Sequence, residues 1–129
     1  MKKTYQGACH CGRFRFEVEA DIDHVRVCDC SICHQRGAFI HRVPEDSVRL
    51  ITSLDELTLY QWGTRTAKDY FCRVCGILPL RRPRVPTQDD IDNGAIRFDG
   101  WAVNTRCLAD FDTGSVPQRE ISGSRLPLP

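Results

Sequence analysis

The chain has 129 residues, 41% of them hydrophobic and 27% charged, and a net charge of +1. That is the composition of one soluble domain able to bury a modest core. It provides no global field to draw the chain to nucleic acid, and no apolar run approaches the length of a membrane span, so neither partner is expected.

The first residues, MKKTYQGACHC, carry Lys2 and Lys3 with no apolar segment behind them, so no secretory leader is expected there. The expected setting is cytoplasmic. In a reducing compartment, eight cysteines are better explained as ligands or nucleophiles than as disulfides. RFRFEVE then alternates, with Phe14, Phe16 and Val18 on one face and Arg13, Arg15, Glu17 and Glu19 on the other, which predicts a half-buried strand. VRVC predicts a second strand running into CDCSICHQRG, where a short helical turn is expected after Cys30. AFIHRV, VRLI and LTLYQW predict further strands, punctuated by Pro44, Asp46 and Gly63, with a turn near Leu54 that Ser53 can cap. AKDYFC is a strand leading into another cysteine pair. ILPLRR leaves that pair, with Pro79 marking it as an edge strand or a bulge. In LRRPR, Arg81, Arg82 and Arg84 read as a solvated strand end. AIRFDGWAVNTRCL gives one or two strands around Gly100, and residues 113–129 read as a loose tail with little to bury after a domain spanning 1–112. The fold class is therefore mainly β, made of short antiparallel strands. Exposed edge strands permit a homodimer.

The cysteines fall into three groups and a singleton: Cys9 with Cys11, Cys28 with Cys30 and Cys33, Cys72 with Cys75, and Cys107 alone. A C-x-x-C turn aims two sulfurs at one ion, and Gly76 permits the tight turn that follows Cys75. A closed structural zinc site takes four ligands, whereas a catalytic one keeps a position open. Seven clustered cysteines divide as four and three, which predicts two Zn2+ ions per chain, one enclosed and one with a vacant corner. Spacing alone leaves open whether Cys72 and Cys75 join Cys9 and Cys11 or two of the middle three. Competing readings of Cys30-Ser-Ile-Cys33-His34 are weaker. Haem attachment requires export and a further axial ligand, and a redox dithiol requires a βαβ setting that the strand pattern lacks. His10 and His34 adjoin ligand cysteines and are read as exposed neighbours, and Cys107 as a buried, inert thiol.

Four stretches, GACHCGRFRFEVE, CDCSICHQRGA, LTLYQWGTRTAKDYFCRVCG and VNTRCL, together resemble the glutathione-dependent formaldehyde-activating enzymes and the related centromere protein V group, from about Gly7 to Leu108. The resemblance implies a β-tent fold with two zinc sites. It implies that Cys9, Cys11, Cys72 and Cys75 hold the structural ion and that Cys28, Cys30 and Cys33 form the open, catalytic one. Three positions depart from the family pattern: His34 and Gln35 stand where the formaldehyde-activating members carry two basic residues, and Asp69 stands where the centromere protein V branch often carries histidine.

The expected activity is that of a carbon–sulfur lyase. A thiol such as glutathione, deprotonated at the open site, adds to formaldehyde or a related small aldehyde to give a reversible S-hydroxyalkyl adduct. Ser31 and Arg36 are the candidate glutathione contacts, Arg36 through its planar fork toward a carboxylate. The alternative is a non-catalytic domain with two structural zincs that binds a protein or nucleic-acid partner. Its fourth ligand at the second site would be His34, Cys107 or Asp29.

Overall fold

Period-two alternation dominates the chain and produces two sheets. The computed structural model describes residues 1–125. The smaller sheet has the order β1-β2-β5, from β1 (Lys3–Ala8), β2 (Arg15–Ala20) and β5 (Val48–Leu50). The larger has seven strands in the order β10-β3-β4-β9-β8-β7-β6. These are β3 (Val25–Cys28), β4 (Ile40–Val43), β6 (Leu57–Tyr60), β7 (Lys68–Cys72), β8 (Leu80–Arg82), β9 (Trp101–Asn104) and β10 (Gln118–Ile121). Among the described residues there are two short α-helices, α1 (Ser31–Arg36) and α2 (Gln88–Asp92), and five single-turn 3-10 helices. The architecture is mainly β, as the alternation predicts.

One core joins the sheets. Phe14, Phe16 and Val18 cluster with Val25, Val43, Leu80, Trp101 and Val103, and all are buried. Each large apolar side chain withdrawn from water in this way contributes roughly 1.5–3 kcal/mol. Directly paired residues on adjacent strands share a face of the sheet. One face of the large sheet therefore carries Val103 beside Leu80 and packs into the core. The other face carries a row that runs from Arg119 to Arg26 and Ile40, and from Arg42 through Ala102 to Arg81 and Asp69.

Several local expectations are corrected. Residues 118–121 are not a loose tail: β10 pairs with β3 in parallel register, Gln118 with Val25 through Ile121 with Cys28. This pair is also the exception to the antiparallel pattern. The remainder of the expected tail, 126–129, lies outside the described residues. Pro79 does not make β8 an edge or a bulge. The strand lies between β7 and β9, and Pro79 stands just before its first residue, with a carbonyl that accepts from the Asn104 amide at 2.9 Å. A proline outside the ladder removes no ladder hydrogen bond. Helix α2 was not expected. Thr87 accepts from the Asp90 amide at 3.1 Å while the Asp90 carboxylate accepts from the Thr87 amide at 2.9 Å, a reciprocal cap that the T-x-x-D spacing encodes.

LRRPR is not a solvated run either. Arg81 pairs with Asp69, Arg84 with Asp90, and Arg82 with Glu45 while lying 3.5 Å from the centroid of the Trp101 ring. The basic run is distributed over three separate partners, which a charge count along the chain does not reveal.

Candidate metal centre

The first cysteine group is assembled from both sheets. Cys9 and Cys11 lie in the turn between β1 and β2, Cys72 ends β7, and Cys75 follows in the tight turn toward β8. The turn closes through the Gly76 amide on the Cys72 carbonyl at 2.8 Å, and Gly76 has a φ of 80°, a conformation glycine reaches at no steric cost. The four sulfurs all lie within 4.8 Å of one another. Cys9 to Cys11 and Cys11 to Cys72 are each 3.6 Å apart. Four sulfurs at the usual zinc–sulfur distance on a tetrahedron stand about 3.8 Å apart, so the set fits one zinc ion. Backbone amides support thiolate charge here: Phe14 donates to Cys9 Sγ at 3.4 Å and Val74 to Cys72 Sγ at 3.4 Å. At Cys75 burial raises the thiol, but hydrogen bonds from the Ile77 and Cys11 backbone and from the Cys72 and Cys11 sulfurs outweigh it and bring it down to about 6.

The second group forms where β3 passes into α1. Cys28 is the last residue of β3, Cys30 caps α1, and Cys33 lies in its first turn. Their sulfurs also lie within 4.8 Å of one another, and among the described residues no fourth cysteine, histidine or carboxylate joins them. The candidate fourth ligands are engaged elsewhere or turned outward. The Asp29 carboxylate accepts from the Ser124 amide and hydroxyl, both at 2.9 Å. His34 is exposed, and Cys107 lies 3.9 Å from the Leu78 carbonyl. Cys107 is only partly buried, not fully enclosed as expected from the sequence; burial pushes its thiol up to about 12, with the Cys9 and Cys75 sulfurs adding to the shift. Burial also pushes Cys33 up to about 12, with the neighbouring sulfurs contributing. A cation offsets the charge that burial and the neighbouring sulfurs oppose at Cys33, as in a thiolate metal site. Sulfur donors with a vacant corner fit zinc by type and number.

The trio opens into a cavity of about 130 Å3 on the outer face of the large sheet. Arg26, Arg36, Arg42, Arg81 and Arg84 line it, with Ile32, Ile40 and Ala102 among the apolar residues between them. Asp69, only 1% exposed, takes Arg81 Nε at 2.6 Å on one carboxylate oxygen and Arg36 Nη2 at 3.2 Å on the other. Arg84 is paired to Asp90 at 2.8 Å. Arg42 lies over the Phe98 ring, and burial, together with Arg26 and Arg81, pushes it down to about 10. Arg26 is lowered by burial and by Arg119 beside it.

The wall beside Cys28 is formed by the segment after β10. A Cβ built on Gly123 would lie 2.3 Å from Cys28 Sγ, so only glycine fits there without moving the sulfur. Gly123→Ala is expected to cut metal retention at the second site, lowering the zinc content from two per chain toward one while the fold persists. Elemental analysis together with a thermal melt checks both parts.

The family model described as glutathione-dependent formaldehyde-activating enzyme matches residues 4–97. The chain belongs to this family. The match contains all seven clustered cysteines, and VNTRCL lies beyond it. The chain is also similar to the crystal structure of a Rhodobacter sphaeroides protein, with 34% identity and a TM-score of 0.70 over 88% of this chain and 99% of that one.

The pairing that the family resemblance implied is the one the fold brings together, Cys9 and Cys11 with Cys72 and Cys75, leaving Cys28, Cys30 and Cys33 as the trio. Arg36 stands on the cavity wall; Ser31 is the exposed first residue of α1 and lies outside the lining. Sequence reasoning missed Arg26, Arg42, Arg81, Arg84 and Gly123 as site residues. Part of the signal was present, because period two places Arg26 on the face of Cys28. The rest required strand register.

Proposed function

We propose that the chain is a carbon–sulfur lyase-type enzyme that joins a thiol such as glutathione to formaldehyde or a related small aldehyde, reversibly and in the cytosol. The observation that carries this reading is a three-sulfur site with no fourth protein ligand among the described residues, facing an arginine-lined cavity. Cys28, Cys30 and Cys33 would hold the zinc, which would supply a vacant corner able to lower the pKa of an added thiol.

The chemistry is an addition. The sulfur forms a bond to the carbonyl carbon, the carbon–oxygen π bond opens, and the oxygen takes up the proton the thiol released. The reverse direction breaks the carbon–sulfur bond and regenerates both reactants. The chain's own contribution is largely proximity, holding two small reactants in one cavity. Arg36 and Arg81, fixed by Asp69, are the cavity groups available to stabilise negative charge growing on the aldehyde oxygen. Among the described residues the lining contains no histidine and no carboxylate, so the proton exchanges through solvent. Ile32 and Ile40 limit the water that competes for the carbonyl carbon.

Titration of the zinc-loaded protein with glutathione tests the reading. One equivalent is expected to bind with measurable heat, and cobalt-substituted protein is expected to change its thiolate-to-metal absorption as it does. Neither response appearing, with two metals bound, overturns it.

A further inference from the structure

The cavity wall beside the sulfur trio carries a charge imbalance. Of the five arginines lining it, Arg36 and Arg81 share the carboxylate of Asp69, and Arg84 uses that of Asp90. Among the described residues, Arg26 and Arg42 form no ion pair with any acid. Five guanidinium charges against two carboxylates leave three positive charges in excess. Three thiolates on a divalent ion carry one negative charge, so two remain uncompensated beside the second metal site.

The register shows that this excess belongs to the sheet and is not an accident of flexible side chains. Arg26 pairs with Ile40 across β3 and β4, Arg42 lies two residues further along β4 on the same face, and Cys28 lies two residues beyond Arg26 on that face. Arg119 of β10 is aligned with Arg26 and adds to the same row. Ala102 stands between Arg42 and Arg81 on β9, and its small side chain leaves the space that the arginines surround. Arg26 is partly buried and Arg42 is exposed, and like-charged arginines gathered on one face without acidic counterions repel one another unless a ligand supplies the missing charge. Planar guanidinium forks match the oxygens of carboxylate, sulfonate and phosphate groups.

We propose that Arg26 and Arg42 form an oxyanion subsite that selects a doubly anionic thiol as the substrate of the second metal site. The proposal rests on the thiol-binding reading above and adds the substrate's charge and the residues that read it. Arg26 and Arg42 receive the anionic end while the sulfur lies toward the trio. Two arginine-held charges suit a thiol with two acidic groups better than a neutral or singly charged one.

The test is a calorimetric titration of the two-zinc protein with 2-mercaptoethanol, 3-mercaptopropionate and mercaptosuccinate, which carry none, one and two anionic groups beside the thiol. Affinity is expected to rise about tenfold with each added charge and to fall with ionic strength. In R26Q/R42Q the three thiols are expected to bind alike, and R26K/R42K is expected to restore part of the ranking because lysine keeps the charge but loses the fork. Metal content and near-ultraviolet circular dichroism identify variants that have lost their fold, and the single variant R42Q serves if the double variant does not fold. Equal affinities for the three thiols in the unmodified protein overturn the subsite and leave thiol capture standing. If no thiol binds, thiol capture fails, and succinate decides the subsite alone: R26- and R42-dependent binding of succinate supports it, and no binding overturns it.

Discussion

Replacing Cys72 with serine is expected to leave the chain unfolded at room temperature, whereas replacing Cys33 with serine is expected to leave it folded with one zinc in place of two. The difference follows from where the two sites sit. Cys9 and Cys72 are 3% and 1% exposed and belong to the core cluster itself. The four-sulfur site ties the β1–β2 turn, in the small sheet, to the end of β7, in the large one. Ion binding by sites of this type is worth about 10–16 kcal/mol of apparent folding energy in small zinc peptides. A whole domain has a net stability of roughly 5–15 kcal/mol. Losing a ligand there also leaves three sulfurs crowded against a hydrophobic core without their cation. The trio at the end of β3, by contrast, is half-exposed at a cavity mouth and joins a strand to the helix immediately following it in sequence, so little long-range structure depends on it. Circular dichroism, a thermal melt and elemental analysis of the two variants separate these outcomes. Cooperative melting of Cys72→Ser within a few degrees of the unmodified protein would show that the four-sulfur site does not hold the sheets together.

The cysteine groups were legible in the sequence because metal ligation requires short, local spacings, and a C-x-x-C turn with glycine behind it has one geometric reading. The division into four and three followed from coordination number, but the partners did not. Cys11 and Cys72 are 61 residues apart and meet through sheet topology. The strand faces were legible wherever alternation is clean: Phe14, Phe16 and Val18 are buried as the pattern of RFRFEVE predicts. The cavity was not legible, because its arginines come singly from β3, α1, β4 and β8 and from the residues after β8. A near-neutral total therefore concealed a cationic cavity, since the compensating acids sit on other surfaces. β10 escaped for a related reason. QREI carries one apolar residue, and its place in the sheet rests on backbone pairing with β3 and not on a buried face. Yet the segment after it supplies Gly123 at the metal site and the Ser124 groups that hold Asp29.

Asp69→Asn is expected to destabilise the protein by about 3–5 kcal/mol, the usual cost of breaking a buried ion pair by removing one partner. The carboxylate is 1% exposed and is the shared counterion of Arg36 and Arg81, so its loss leaves two half-buried guanidinium groups without compensation. An apolar replacement of both members of the cross-strand pair, Asp69→Leu with Arg81→Met, is expected to cost less than Asp69→Leu alone, because it removes the desolvated charge along with its partner. Urea denaturation of the single and double variants measures both quantities, and a loss below 1 kcal/mol for Asp69→Asn would show that water reaches the pair. The same substitution bears on the metal. α1 has six residues, too few to be stable as an isolated helix, and is fixed by its cysteines and by the Arg36 bond to Asp69. Freeing Arg36 loosens the helix that carries Cys33. The second zinc is therefore expected to pass to a competing chelator several-fold faster in Asp69→Asn than in the unmodified protein, while the four-sulfur zinc is retained at the unmodified rate. Equal loss of both ions would place the effect on global unfolding instead of on the link between β7 and α1.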